Sequence, residues 1–311
     1  MFIVVLNQFT LDGILTLDSM MSASNDPQTV KEQYLTDKHL RVRQEIHEKY
    51  TVPKINYIDW VIDSMQWRGG ERVLDIGCGS GAYFTSLQNL QDEVNYYGID
   101  FSQGMLEKHP AQHNLTLGNA QELPFDTGHF DVIMANHMLY HVPDIDEALV
   151  EFKRILKPGG VIIAATNSQQ NMPELQVLMR RAIVLLSRVG ASQIQPPLPD
   201  SHLFALENGA RQLSRHFYAV VRHDLPSTLI FPEIDPVMDY LESTRMMREP
   251  QLPDDVTWED VMMIMRQQIT HLIHHLGELS VRKEVGVLIA SDSGDFIQEF
   301  VQLRANMLQE H

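Results

Sequence analysis
Two hydrophobic periods share this chain. Short apolar runs recur at Val73 to Ile76, Asn95 to Asp100, Phe130 to Asn136 and Val161 to Thr166. Each is bounded by Gly, Asn or Asp, and runs of that length suit buried strands. Phe217 to Leu225 and Ser280 to Ala290 read as two more. Helical spacing fills the intervals. Residues 27–50 are charged and helix-prone, with Leu40, Val42, Ile46 and Tyr50 in a partial stripe. Pro53 ends that helix, Tyr57 to Met65 makes another, and Tyr83 to Leu90 can start one more. After Thr166 the alternation breaks. Leu175, Leu178, Met179, Ala182, Leu185 and Leu186 form a helical stripe, Pro196-Pro197-x-Pro199 interrupts, and Ser201 to Arg215 reads as a helix. Asp235 to Arg245 and Trp258 to Gly277 follow as helices, and Ser293 is an N-cap for a final helix carrying Phe296, Phe300, Val301, Leu303 and Met307. Strands alternating with helices predict a doubly wound α/β sheet.

The most informative stretch is Val73-Leu74-Asp75-Ile76-Gly77-Cys78-Gly79-Ser80-Gly81. Glycines directly after a strand let the backbone turn tightly and approach a ligand, and a helix N-terminus behind them directs N–H groups outward. Two cofactors fit. Gly77-x-Gly79-x-x-Ala82, with Asp100 near the ribose-binding spacing, satisfies the dinucleotide fingerprint. Asp75 and the third glycine, Gly81, favour the other reading. A pyrophosphate gains nothing from an adjacent carboxylate, whereas a cofactor bearing an ammonium and a sulfonium does.

Asp75-x-Gly77-x-Gly79-x-Gly81 resembles motif I of class I S-adenosylmethionine (SAM) methyltransferases. Later segments extend the resemblance in order. Asp100 ends a second strand and can accept both ribose hydroxyls. Phe101, Ser102 and Met105 then cover the adenine. Gly118 to Phe125 looks like the motif around the adenine amino group, with Asn119 where the family commonly has Asp, followed by Ala120. An amide oxygen still accepts from an amine. Arg154-Ile155-Leu156-Lys157-Pro158-Gly159-Gly160 breaks a helix before the fifth strand. The run from Leu40 to Tyr50, with Trp60, is similar to the N-terminal helices of the small-molecule, type 11 group. There Tyr34, Arg43, Tyr50 and Lys54 are candidates for the cofactor's methionine end or the substrate.

The resemblance implies a Rossmann-like sheet of seven strands, the last antiparallel, with N-terminal lid helices and a helical cap inserted after the fifth strand. The implied divisions are a tail at 1–21 and one domain at 22–311. Within it, 22–68 form the lid, 69–166 the SAM-binding core, 167–215 the cap and 216–311 the C-terminal strands and helices.

Composition narrows the acceptor. The chain has 311 residues, 44% of them hydrophobic, and a net charge of −17. Arg41-Val42-Arg43 and Arg180-Arg181 are short and isolated, so a nucleic-acid substrate, which needs a basic face, is disfavoured. A small, uncharged or cationic acceptor is expected instead. The single cysteine, Cys78, excludes an intrachain disulfide, fits a reducing cytoplasm and reads as a small residue of the cofactor loop. Met1 to Met21 is apolar-rich but lacks the basic start of a signal peptide. Asn7, Gln8, Asp12 and Asp18 break it well short of the ~20 residues of a membrane span. It reads as a weakly ordered tail, or as residues before a true start at Met20 or Met21.

Methyl transfer from a sulfonium chiefly requires an in-line nucleophile, and a hydroxyl acceptor also needs a base. The segment Asn136-His137-Met138-Leu139-Tyr140-His141 lies beyond the fourth strand, where doubly wound sheets hold ligands. His141 is the first candidate for proton transfer and His137 the second; Asn136 is assigned to the cofactor. His271, His274 and His275 share helical spacing but lack a carboxylate partner motif, so no metal is assigned. The alternatives to a SAM-dependent methyltransferase are a SAM-binding protein that transfers no methyl, an RNA methyltransferase and an NAD-dependent oxidoreductase.

Overall fold
A computed structural model describes residues 5–6, 25–90, 93–197, 200–294, 296–297 and 302. Apart from Val5 and Leu6, the 1–21 tail lies outside them, as do the end of the Pro196–Pro199 break and most of the helix expected after Ser293.

The described strands form one sheet. They are β1 (Val5–Leu6), β2 (Thr51–Val52), β3 (Arg72–Ile76), β4 (Asn95–Asp100), β5 (Leu115–Leu117), β6 (Phe130–Met134), β7 (Leu156–Asn167), β8 (Ala219–Phe231) and β9 (Leu279–Ser291). Their order is β1-β8-β9-β7-β6-β3-β4-β5, and β2 pairs with β8 off that path. From β7 to β5 all pairings are parallel; β9 runs antiparallel between β7 and β8. The antiparallel late strand is in place, but the described sheet has nine strands rather than the seven expected, and β5 is not among the strands read from the sequence. The two-residue β1 and β2 are additions on β8, too short for a periodic signal. The Pro-Gly run does not precede β7 but bulges within it: Phe130 pairs with Leu156 and Val132 with Val161.

The helices are α1 (Pro27–Gln33), α2 (Lys38–Tyr50), α3 (Tyr57–Ile62), α4 (Phe84–Gln88), α5 (Gln103–Leu106), α6 (Ile145–Ile155), α7 (Pro173–Leu186), α8 (Leu206–Leu213), α9 (Asp235–Glu242), α10 (Arg245–Arg248) and α11 (Trp258–Leu276). None of the described helices is long and apolar enough to cross a membrane.

Three buried clusters organise the packing. One holds Leu74, Ile133, Phe152 and Leu288, a second Val73, Val132, Ile163 and Val287. Adjacent residues of one strand thus fall in different clusters, as the two-residue period requires when both sheet faces are covered. The third gathers Ile46 of α2, Met179 of α7, Val237 of α9, Trp258 of α11, and Leu229 and Val281 of the long hairpin β8–β9. This cluster, termed the cap, joins residues of 167–215 to two other stretches, and the 13-residue strands β8 and β9 run from the core into it. On α7 the buried side is Leu175, Met179, Ala182 and Ile183, while Leu185 is 64% exposed and leaves the expected stripe.

The N-terminal helices bridge core and cap. Ser102 Oγ–H donates to the Tyr34 carbonyl at 2.8 Å, and Lys108 pairs with Asp37. On the other side Arg43 donates to the Ser243 carbonyl at 2.9 Å, joined there by Gln33.

Candidate active site
Beyond the carboxyl ends of β3, β4, β6 and β7 lies a cavity of about 1150 Å³, roofed by α1 and α2. This is where a doubly wound sheet holds its ligand. A second hollow of about 570 Å³, lined by Glu71, Asp131 and Lys157, lies at the opposite ends of the same strands.

The glycine loop is pinned to β4. Gly77 N–H donates to the Ile99 carbonyl at 2.8 Å, and Gly79 N–H to Asp100 Oδ2 at 2.8 Å. Gly77, Gly79 and Gly81 all have left-handed φ, of 68°, 55° and 84°. Their surroundings differ. A Cβ on Gly81 would meet Pro110 Cδ at 2.5 Å, whereas one on Gly79 would meet nothing within 4 Å. Gly79 faces the cavity; Gly81 packs inward and does not line it. The helix behind the loop, α4, has five residues rather than the eight expected, and the N–H groups of Gly77, Cys78, Gly79 and Gly81 are all donated within the fold.

Asp75 is 2% exposed yet lines the cavity. Tyr96 O–H donates to its Oδ2 at 3.2 Å. Burial, aided by the charge of Asp100 and opposed by the Tyr96 bond, pushes the Asp75 carboxyl up to about 7. Burial also raises Asp100, whose two oxygens accept from Gly79 N–H and Ser102 N–H. Each oxygen retains a second lone pair for a hydroxyl. A buried and a half-buried carboxylate with no cationic partner among the described residues cost stability, and a cationic, ribose-bearing ligand would offset that cost.

Other expected cofactor residues meet at the same wall. Phe101, 45% exposed, lies with Ser102, the N-cap of α5, and buried Met105. Asn119 and Ala120 line the floor, the Asn119 amide oxygen accepting from Gln121 N–H. Cys78 is buried there, and burial raises its thiol pKa. Asn136 accepts from Ala165 N–H at 3.0 Å, while its buried Nδ2 has no partner among the described residues. The residues fit a SAM-like group: carboxylates for its cationic end and ribose, an orphaned donor, and a glycine opening. Tyr50 is not among them. It stacks on Phe231, 5.1 Å between ring centres, in the cap core, because its turn of α2 faces β8.

The proton-transfer candidates flank the roof. His141 Nε2 lies 2.9 Å from the Tyr34 hydroxyl, which places Tyr34 in the cavity wall. His137 adopts a left-handed φ of 54° and its Nε2 lies 2.8 Å from the Tyr57 hydroxyl. Burial, followed by Lys283 and His141, lowers His137 to about 4, so it is a poor proton acceptor near neutrality. Arg43 and Lys54 line the cavity, but Lys54 Nζ–H donates to the Glu48 and Lys49 carbonyls. His271, His274 and His275 contact one another on the exposed side of α11.

Sequence reasoning missed Lys283 and His47, both of which line the cavity. The signal for Lys283 was present. Val281, Lys283, Val285 and Val287 alternate with Arg282, Glu284 and Gly286, so the two-residue period puts the lysine on the buried side.

Comparison with known proteins agrees with the geometry. Residues 74–164 match the family described as "Methyltransferase domain". A demethylmenaquinone methyltransferase of Staphylococcus aureus (strain JH9) is 36% identical over 150 residues, 43% of this chain. The matched part spans 61% of that relative's length. Among solved structures, a protein from Bacillus halodurans assigned as a methyltransferase matches with TM-score 0.51 and 17% identity, covering 76% of this chain and 99% of its own. The cyclase SpnF matches with TM-score 0.51 and 15% identity over 86% of this chain and 97% of its own. These two share the fold.

Proposed function
We propose that the protein transfers a methyl group from SAM to a small-molecule acceptor, a reading supported by the match of residues 74–164 to the methyltransferase domain family. The observation that carries this reading is the pair of carboxylates, buried Asp75 and half-buried Asp100, in the wall of the cavity that also holds His137 and His141. Bound there, the cofactor supplies an electrophilic methyl on a cationic sulfur that leaves as a neutral thioether. Asp75 balances its positive end, Asp100 takes the ribose hydroxyls, and Phe101 and Met105 cover the base. The lid excludes water, which strengthens every charge contact inside. His141, held by Tyr34, takes the acceptor's proton when the acceptor is a hydroxyl. The net charge of −17 supports a small acceptor over a nucleic acid.

The second reading is SAM binding without methyl transfer, and the fold also serves a reaction other than methyl transfer, since one neighbour of equal likeness is a cyclase. Parallel calorimetric titrations with SAM, S-adenosylhomocysteine and NAD test the cofactor, and a labelled-methyl screen of small acceptors tests the transfer. Binding of the first two and not of NAD is expected. NAD binding alone overturns the proposal; tight SAM binding with no labelled product from any acceptor favours the non-methylating reading.

A further inference from the structure
The cavity is electrically divided. Its glycine-loop end carries Asp75 and Asp100, while α2, α10 and β9 bring Arg43, Arg248 and Lys283 into its wall, against the single exposed carboxylate of Glu48 on α2. Lys283 is the unusual member. It is 7% exposed, sits in an otherwise apolar alternation of β9, and makes no ion pair among the described residues. Its Nζ–H donates to Thr51 Oγ1 at a long 3.3 Å, and the ammonium lies 5.7 Å from the centre of the Tyr57 ring. A buried ammonium kept for packing would be matched by a carboxylate, since leaving it unpaired costs stability.

Its position is suggestive for a ligand. Asn167, the end of β7, pairs with Val285, so Lys283 stands two residues beyond that carboxyl end, on the ligand side of the sheet. The titratable groups facing it are His47 of α2, Tyr57 of α3 and His137 after β6. Burial drives His47 well down, as it does His137, and Lys283 adds to both effects. Burial raises Tyr57 and lowers Lys283 to about 8. All three neighbours are therefore uncharged near neutrality, and none offsets the lysine. Two further polar atoms in the same wall, His47 Nδ1 and Arg248 Nε, are buried without partners among the described residues.

We infer that this end of the cavity is an acceptor subsite for an oxyanion, and that an acceptor with an acidic oxygen (carboxylic acid, phenol or enol) binds there as its conjugate base against the Lys283 ammonium. The inference rests on the methyl-transfer reading and deepens it. It also reverses the expectation of an uncharged or cationic acceptor drawn from the net charge: the average is acidic, but the local field here is positive. A phenolate or enolate held this way is already deprotonated, so His141 serves as base only for an acceptor that binds neutral, and the bound anion lies in the same cavity as Asp75 and Asp100.

The probe is 4-nitrophenol, yellow as the anion and colourless when neutral. The full chain is first titrated with S-adenosylhomocysteine, then saturated with it and mixed with 4-nitrophenol just below the pH at which the free phenol ionises. The bound probe is expected to be yellow, and 4-nitroanisole, which cannot ionise, to compete poorly. Lys283→Met should leave S-adenosylhomocysteine affinity unchanged, abolish the colour and weaken 4-nitrophenol by about tenfold or more, the scale of one charge-assisted hydrogen bond. Lys283→Arg should restore the colour. A colourless bound probe, no probe binding, or a yellow signal that survives Lys283→Met each overturns the subsite. Failure of S-adenosylhomocysteine to bind the native protein removes the cofactor reading and the subsite with it; its binding without the colour removes the subsite alone.

Discussion
Asp75→Asn tests the charge around which the cofactor end is built. In the free protein burial holds the Asp75 carboxyl up at about 7, so near neutrality about half the molecules carry its proton. A cationic ligand beside it favours the carboxylate and expels that proton. Affinity for SAM should therefore rise with pH and level off above the Asp75 pKa. One pH unit below that pKa, affinity should be about tenfold under its plateau, or ~1.4 kcal/mol. Calorimetric titration with SAM between about pH 6 and about pH 8 measures this step directly. Asp100 and His109 also have shifted pKa values near the site, and the variant separates them: in Asp75→Asn the step should vanish and plateau affinity should fall by about tenfold or more. Stability should move the other way. The folded pKa lies above the ordinary 3.8, so between the two values the folded protein holds a proton that the unfolded chain has released. The stability from this group is full below the lower value and is lost as pH rises through the upper one. At about pH 8 the free native protein carries a buried charge that the variant lacks, so Asp75→Asn should have the higher Tm while binding SAM more weakly. Affinity that stays flat with pH, or a step that persists in Asp75→Asn, would refute the reasoning.

Three other perturbations separate loop, ribose site and base. Gly81→Ala should destabilise the fold by about 1–3 kcal/mol in urea denaturation, because its Cβ meets Pro110 and His109 at left-handed φ. Gly79→Ala, which opens on space, should cost only about 1–2 kcal/mol of stability but lose more SAM affinity than Gly81→Ala; the reverse ranking would contradict the assignment of which glycine faces the cofactor. Asp100→Ala should weaken SAM binding by roughly 1.5–3 kcal/mol, the scale of a charge-assisted hydrogen bond. It should also lower Tm, since Gly79 and Ser102 N–H lose their acceptor; unchanged affinity by calorimetry would remove the ribose role. His141→Ala should slow transfer to a hydroxyl acceptor by about 10²–10⁴-fold at unaltered SAM affinity, and a normal rate would exclude it as the base.

What the chain alone determined is local. The loop from Asp75 to Gly81, Asp100 behind β4 and Asn136 behind β6 were legible because their task rests on neighbouring backbone: left-handed glycines, a strand end, an acid at a strand's last residue. Asp100 reaches across to Gly79 from the adjacent parallel strand. The succession of strand and helix along the chain was legible in the same way, but not the short β5 or the order of the strands in the sheet. What only the tertiary structure decided is the far half of the cavity. Tyr34, His47, Arg248 and Lys283 meet there from four elements spread over some 250 positions of sequence. Each sits on a helix end or strand whose periodicity shows which side is buried but not what that side meets. Tyr50 and Tyr34 look equivalent in sequence, yet α2 turns Tyr50 into the cap core while the Ser102 bond holds the end of α1, with Tyr34, over the cavity. Lys283 became meaningful only once three uncharged neighbours, and no carboxylate paired with it among the described residues, were found around it, because the energy of a buried charge is set by every element that packs against it.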